Sequence, residues 1–338
     1  MNLIRSHSLL AVVALLVVLA LIRVIWIGRD GTGPSITVYS GRTADLIQPL
    51  IDQFERETGI RVQVRYGQTA EMAATILEEG RRSPADVFLA QDAGALGALA
   101  RADRLTPLPA DLLDLVEARF RSPAGQWVGL SGRARVITYH PDRIDPSALP
   151  DHLQALCEPH WQGRVGWAPM NASFQAFVTA LRVTEGHDAA RDWLTCMARQ
   201  RTRSYANNSA ILMAVASGEI DAGLVNHYYL HALARERTGA LPIRNHYPAG
   251  GVLVNVAGAG ILRTASAPDL ADRFLRYLLD ESAQRYFTDR TFEYPLVRGI
   301  APNEVLPPLH DLQTTDLDLN QLDDLERTLR LLQDVHLL

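Results

Sequence analysis

From residue 35 onward the chain alternates between two hydrophobic periods. Residues 36–39 form a short β-rich run closed by Ser40 and Gly41, and Leu46, Ile47, Leu50, Ile51 and Phe54 then recur at helical spacing until Gly59. That pattern predicts a strand followed by an amphipathic helix. Ile60, Val62, Val64 and Tyr66 alternate with polar neighbours, as a half-buried strand does, and stop at Gly67. A helix is predicted over about 69–79, ending at Gly80; residues 86–90 (DVFLA) read as a third strand, and a helix of small residues follows over 93–102. Such alternation predicts a mostly parallel sheet with helices on its faces. Ligands of such sheets bind beyond the carboxyl ends of the strands, which here means residues 40–43 and 91–92.

The same grammar restarts after residues 126–139. Residues 165–168 read as a strand, 169–173 as a loop, and a helix begins near Phe174; Asn207, Asn208 and Ser209 precede a further helix that runs into Gly218. Residues 221–225 give one more strand, which ends on Asn226, His227, Tyr228 and Tyr229. The expectation is therefore an α/β protein of two units facing each other. Gly258 and Gly260 read as a tight chain crossing between them. From Pro302 the chain reads as a surface extension closed by an amphipathic helix at about 319–332.

Composition refines this picture at the N-terminus. Arg5 precedes an apolar run from Leu9 to Ile27 broken only by Arg23, the layout of a secretory targeting sequence. The run is close to the length that spans a bilayer, so a cleaved signal and an uncleaved anchor both stay open, and both place the rest of the chain outside the cytoplasm. The chain as a whole is 47% hydrophobic and 21% charged, the composition of a globular protein, and 338 residues suffice for two cores. All basic residues are Arg, yet the net charge is −5 and no polybasic run occurs, which argues against a nucleic-acid partner. Cys157 and Cys196 are the only cysteines; an oxidising compartment favours their pairing as a structural disulfide.

Tyr228 and Tyr229 are the sharpest chemical feature, two phenols at a strand end where a cleft would lie. A free phenol titrates near 10, so only an ion of high charge density holds two of them deprotonated at neutral pH. Taken alone, the dipeptide reads more readily as a packed aromatic beside a surface one. His227 and His231 lie four apart without a Glu to complete a zinc-protease pattern, and read as solvated histidines. Arg133 and Arg135 read either as lining a hinge or cleft mouth or as structural ion pairs.

Several stretches in order, 36–41 (ITVYSG), 55–60 (ERETGI), 83–88 (SPADVF), 129–136 (GLSGRARV), Asn208 with Ser209, 225–229 (VNHYY) and 293–296 (EYPL), resemble the periplasmic ferric-ion-binding proteins of bacterial ABC transporters. The resemblance runs from about residue 35 to the C-terminus. It implies a two-lobed, type II-like periplasmic-binding-protein fold, with two mixed, mostly parallel sheets joined by a hinge and a ligand cleft between them. The implied division is a signal or anchor with linker over 1–34, an N-lobe over 35–136 and about 258–300, a C-lobe over 137–257, and an extension over 301–338. It also implies a monomer that delivers Fe³⁺, with carbonate or phosphate as synergistic anion, to an inner-membrane ABC permease, and that is not an enzyme.

Carried over by position, the resemblance makes Tyr228 and Tyr229 iron ligands. It places the anion against Asn171, Ala172 and Ser173 and near Asn208 and Asn226, where loop amides at a helix start form an anion cradle; helix capping is the plainer role for Asn208. The first lobe departs from the pattern. Thr43 stands where a ligating His is found, Gln91 where a ligating Glu is found, and Phe174 where some members carry a third tyrosine. Gln91 retains a neutral carbonyl oxygen for the metal, Asp92 is a neighbouring carboxylate, and Arg42 with Thr43 matches positions that hold the anion. These losses also motivate a second reading, a metal-free small organic anion such as a phosphonate or carboxylate. A phosphate-ester hydrolase is a third, for which no nucleophile and base are found, and a tethered sensor a fourth.

Overall fold

The computed structural model describes residues 33–237, 241–249, 252–315 and 317–338; the apolar N-terminal tract lies outside them. Strand β1 (Ser35–Ser40) pairs in parallel with β2 (Arg61–Tyr66) and β3 (Val87–Ala90). Helix α1 (Ala44–Thr58) buries Ile47, Leu50, Ile51 and Phe54, the positions picked out by helical spacing, and Gly59 ends it at φ 70°, where the missing Cβ removes the left-handed penalty. Helices α2 (Thr69–Glu79) and α3 (Ala93–Arg101) complete the predicted series, and a short α4 (Ala110–Leu113) follows.

The two halves of the fold share one strand. β4 (Val128–Tyr139) is buried along its whole length. Its first part, from Val128 to Ala134, runs antiparallel to β9 (Val254–Ile261), which in turn borders β3. Its second part, from Arg135 to Tyr139, runs antiparallel to β7 (Ala222–Asn226) and, at its far end, to β8 (Arg244–His246). β5 (Val165–Trp167) joins β7 and β6 (Arg203–Ser204) in parallel, and β10 (Tyr294–Pro295) pairs with β4 at Gly132 and Ser131. The sheet is thus mixed. Parallel ladders occupy each flank, as the strand–helix alternation predicts, while the strands that pass between lobes run antiparallel, because a chain that crosses must return. In β9, a Cβ at Gly258 would lie 2.7 Å from the Val128 carbonyl, so this glycine lets two backbones meet at the crossing.

The helices of the second lobe are α5 (Ala172–Thr184), α6 (His187–Arg199), α7 (Asn208–Ala216) and α8 (Tyr228–Glu236). Trp167, Phe174, Phe177 and Trp193 pack edge-on or tilted at 5.6–6.3 Å in its core. Cys157 and Cys196 form a disulfide that ties the turn at Leu153–Cys157 to α6. Helices α9 (Pro268–Leu278) and α10 (Glu281–Arg290) return to the first lobe, where Phe274 and Tyr277 close on Phe54.

The C-terminal segment differs from a surface extension. Leu319, Leu322, Leu331 and Leu332 are buried. The 3₁₀ turn at Leu319–Asp323 lies so close to α3 that a Cβ on Gly94 would meet the Leu322 carbonyl at 2.5 Å, and Trp127 Nε1 donates to Asn320 at 2.8 Å. Helix α11 (Leu325–Asp334) then packs on α5, with Thr328 bonded to Thr179 at 2.7 Å and Asp324 paired to Arg182 at 2.9 Å. Leucines at helical spacing predict the helix but not its partners, since it is the facing glycines of α3 that let the turn approach.

Candidate functional site

The end of β7 and the start of α8 form one wall of the cleft. The rings of Tyr228 and Tyr229 stack with centroids 4.5 Å apart and planes at 25°. Both are partly exposed. Burial, followed by the neighbouring Tyr229 hydroxyl, pushes the Tyr228 phenol well above its ordinary value. Tyr228 is therefore protonated while the cleft holds no cation, and a metal bound through its oxygen must displace that proton.

Beside the phenols stands Arg135, on the buried strand β4. Its Nη1 donates to Ser173 Oγ at 3.2 Å and Asn226 Oδ1 at 3.4 Å, its guanidinium lies 5.4 Å from the Phe174 ring centre, and its Nε and Nη2 are buried without a partner. Burial lowers its basicity, and Tyr229 and Tyr228 act against that shift; it remains a cation at neutral pH. Asn171 caps α5 by accepting from Ser173 N at 3.0 Å and Ser173 Oγ at 2.5 Å, and Asn208 Nδ2 reaches the same oxygen at 3.5 Å. The cap of α7 is Asn207, not Asn208. Asn208 is thereby released from capping, and its buried Oδ1 has no partner. Ala172 opens α5 with its backbone amide at the wall, and Phe174 is fully buried beneath.

The opposite wall is poorer in free donors. Gln91 follows β3; its carbonyl accepts from Arg133 Nη2, and its side-chain Oε1 is buried without a partner. Asp92 caps α3, its Oδ1 accepting from Ala95 N at 3.3 Å, and burial raises its pKa against the pull of Arg133. Thr43 is exposed at the start of α1 with no side-chain cap bond. Arg42 is the clearest departure from the anion-binding expectation. It is 1% exposed, its Nη2 pairs with Glu293 at 2.9 Å, and its Nη1 meets Ser131 Oγ at 3.4 Å. A guanidinium engaged in this way holds β4 and β10 together instead of facing the cleft.

For Arg133 and Arg135 the structure favours the cleft-lining alternative over the ion-pair one, and His227 departs from the solvated role expected of it. Arg133 and Arg135 are not an ordinary ion-paired surface: they line one small pocket with Ser173, Asn226, Leu253 and Asn255. Two arginines separated by one residue inside an otherwise apolar strand were the available signal, since a strand places such residues on one face. His227 is no solvated histidine. It is fully buried, its Nδ1 accepts from Ala134 N at 3.1 Å, and burial, reinforced by His231, pushes it down to about 3, so it stays neutral. Nothing in a short His-Tyr-Tyr string announces that burial.

Among the described residues no group of three His, Cys, Asp or Glu could hold a metal. The polar groups left on the two walls are phenols, the unpartnered amide oxygens of Gln91 and Asn208, and guanidinium nitrogens. Also among the described residues, no helix is long and apolar enough to cross a membrane.

Comparison with known proteins places this site in a family. The model of the bacterial extracellular solute-binding proteins matches residues 82–317. The chain is 35% identical over 306 residues to the major ferric iron-binding protein of Neisseria meningitidis serogroup B, covering 88% of this chain and 92% of that protein. It is 33% identical over 293 residues to the Fe(3+)-binding periplasmic protein of Serratia marcescens, covering 85% and 86%. The crystal structure of iron-bound HitA from Pseudomonas aeruginosa superposes with a TM-score of 0.83 at 34% identity, covering 90% of this chain and 99% of that one. With its family model matched over most of its length and its fold shared with these carriers, the chain belongs to the bacterial extracellular solute-binding protein family.

Proposed function

We propose that this protein captures ferric iron as cargo outside the cytoplasm, together with a small synergistic anion, and delivers it to an ABC permease. The observation that carries the reading is the stacked Tyr228–Tyr229 pair beside an arginine with two unpartnered nitrogens. Phenolate oxygens are hard anionic donors that suit a hard trivalent cation. Arg135 beside that cation would repel it unless an anion stood between them, and carbonate or phosphate accepts from a guanidinium in the charge-assisted way. Arg133 and Arg135, with Asn171, Ala172, Ser173, Asn208 and Asn226, supply the anion side. Tyr228, Tyr229 and the free oxygen of Gln91 supply the metal side, so the anion completes the coordination that the protein leaves open.

In this reading β4 and β9 form the hinge. The N-lobe comprises 35–136 and about 258–300, the C-lobe 137–257, and segment 301–338 spans both. The carrier works as a monomer in the periplasm, tethered or freed according to the fate of residues 1–34, and it assigns no catalysis to the cleft. Relatives whose names specify ferric iron support the choice of cargo.

Ferric loading in carbonate or phosphate should give a visible tyrosinate-to-iron band that disappears in a Tyr228→Phe, Tyr229→Phe double variant. A wild type that stays colourless while calorimetry detects tight binding of a small organic anion would replace this reading with the metal-free one.

A further inference from the structure

We infer that Phe292 is a positioning residue for the tyrosine pair, the first-lobe half of a latch that grips α8 across the cleft. The inference rests on the ferric reading above for its consequence, but its geometry is independent of any metal.

Three residues at four-residue spacing on α8 face one short segment of the other lobe. His227 stacks on Tyr294 with centroids 4.8 Å apart and planes at 29°. One turn on, His231 lies against the Phe292 ring at 5.5 Å. A further turn on, Arg235 places its guanidinium 5.4 Å from the centre of the same ring and donates from Nη1 to the Arg290 carbonyl at 2.6 Å. Residues four apart share a helix face, so this is a continuous stripe along α8. Tyr228 and Tyr229 project beside it from the same helix, and their placement follows the helix as a rigid body.

The backbone of Phe292 adds an independent observation. Thr291 ends α10, and Phe292 follows it at φ 56°, the position and conformation at which helices ordinarily carry glycine. A bulky side chain is disfavoured there. Its ring nevertheless sits between His231 and Arg235, while the next two residues are held by the Arg42–Glu293 ion pair and the Tyr294 stack. The segment is thus fixed on the first-lobe side and presents one ring to α8. Retaining phenylalanine where glycine would end the helix more easily points to a task for the ring.

The consequence is kinetic. Lobe opening must separate Phe292 from His231 and Arg235 before the tyrosines leave the opposite wall, so the latch slows release without contributing a ligand. Phe292→Gly removes the ring and suits the left-handed backbone, so no loss of thermal stability is expected. Transfer of iron from this variant to a competing chelator should be faster by about tenfold, the scale of one aromatic pair plus one cation–π contact, with the visible band of the loaded protein unchanged. Arg235→Gln, on an exposed side chain, should shift the rate in the same direction. Release rates equal to wild type in both variants would overturn the inference, as would a displaced band, which would mean that Phe292 shapes the coordination itself. Hydrogen exchange of α8 in the iron-free protein, expected to quicken in Phe292→Gly, decides the latch even if a colourless wild type has refuted the ferric reading; unchanged exchange would overturn it.

Discussion

The two walls of the cleft use similar residue types for opposite purposes. On the wall built by α5, α7 and α8, polar atoms are left free. Arg135 keeps two unpartnered nitrogens, Asn208 an unpartnered oxygen, and the two phenols are partly exposed. On the wall built by β1, β3 and α3, the comparable groups are mostly engaged in the protein: Arg42 pairs with Glu293 and keeps one buried nitrogen, Nε, without a partner, Asp92 accepts from the start of α3, and the Gln91 side-chain oxygen is left free. The charge of Arg42 is answered by a buried carboxylate, whereas the hydrogen-bond partners of Arg135 are a hydroxyl and an amide oxygen, which leaves its charge for an anionic ligand. Under the proposed function, one lobe binds and the other covers.

Substitutions at three positions would break or sharpen that contrast. The largest effect is expected from Arg42→Ala, which leaves Glu293 charged and buried without its partner. Loss of such a partner costs about 3–5 kcal/mol, so thermal or urea unfolding should show a marked loss of stability, while loaded protein that does fold keeps its visible band. Intact stability with a lost band would instead return Arg42 to the anion site. Next comes Arg135→Gln, which keeps much of the side-chain volume and removes the charge. Iron affinity measured by chelator competition in carbonate or phosphate should fall by about 10–100-fold, as for other outer-shell partners of metal sites, and its dependence on the anion should flatten. The smallest effect belongs to Gln91. Gln91→Ala should weaken binding by about fivefold, the scale of one neutral polar contact, whereas Gln91→Glu should slow iron release by adding an anionic donor to the covering wall. Equal release from the two variants would mean that this side chain does not reach the cargo.

Much of this was legible in the chain. Period-two and period-3.6 patterns located β1, α1, β2 and α2, because each buries one face and the apolar spacing records which. The tyrosine pair was legible through its place at a strand end. What could not be read was which polar groups would find partners inside the protein. Arg42 and Glu293 are 251 residues apart and meet where both reach Ser131 of β4. His227 reads as polar, and its burial depends on Ala134 and Tyr294, neither of them near in sequence. Asn207 and Asn208 are adjacent and chemically identical, and only the backbone decides which one caps the helix. The C-terminal leucines were legible as an amphipathic stripe, but the glycines that receive their turn lie on α3, far up the chain.

The shared strand β4 has a mechanical consequence. Arg133 pairs with Asn255 of β9, Arg135 pairs with Asn226 of β7, and Ala134 between them is where the strand passes from one sheet to the other. When two bodies rotate about a common strand, points on the pivot travel least and points far from it travel most. In the hinge proposed above, the two guanidiniums would sit on the pivot, with Gln91 and the tyrosines on the moving lobes. Opening would therefore dismantle the cation's surroundings while leaving the paired positive charges almost where they were, so the anion would keep its berth in the open carrier and act as the seat onto which the next metal ion is lowered.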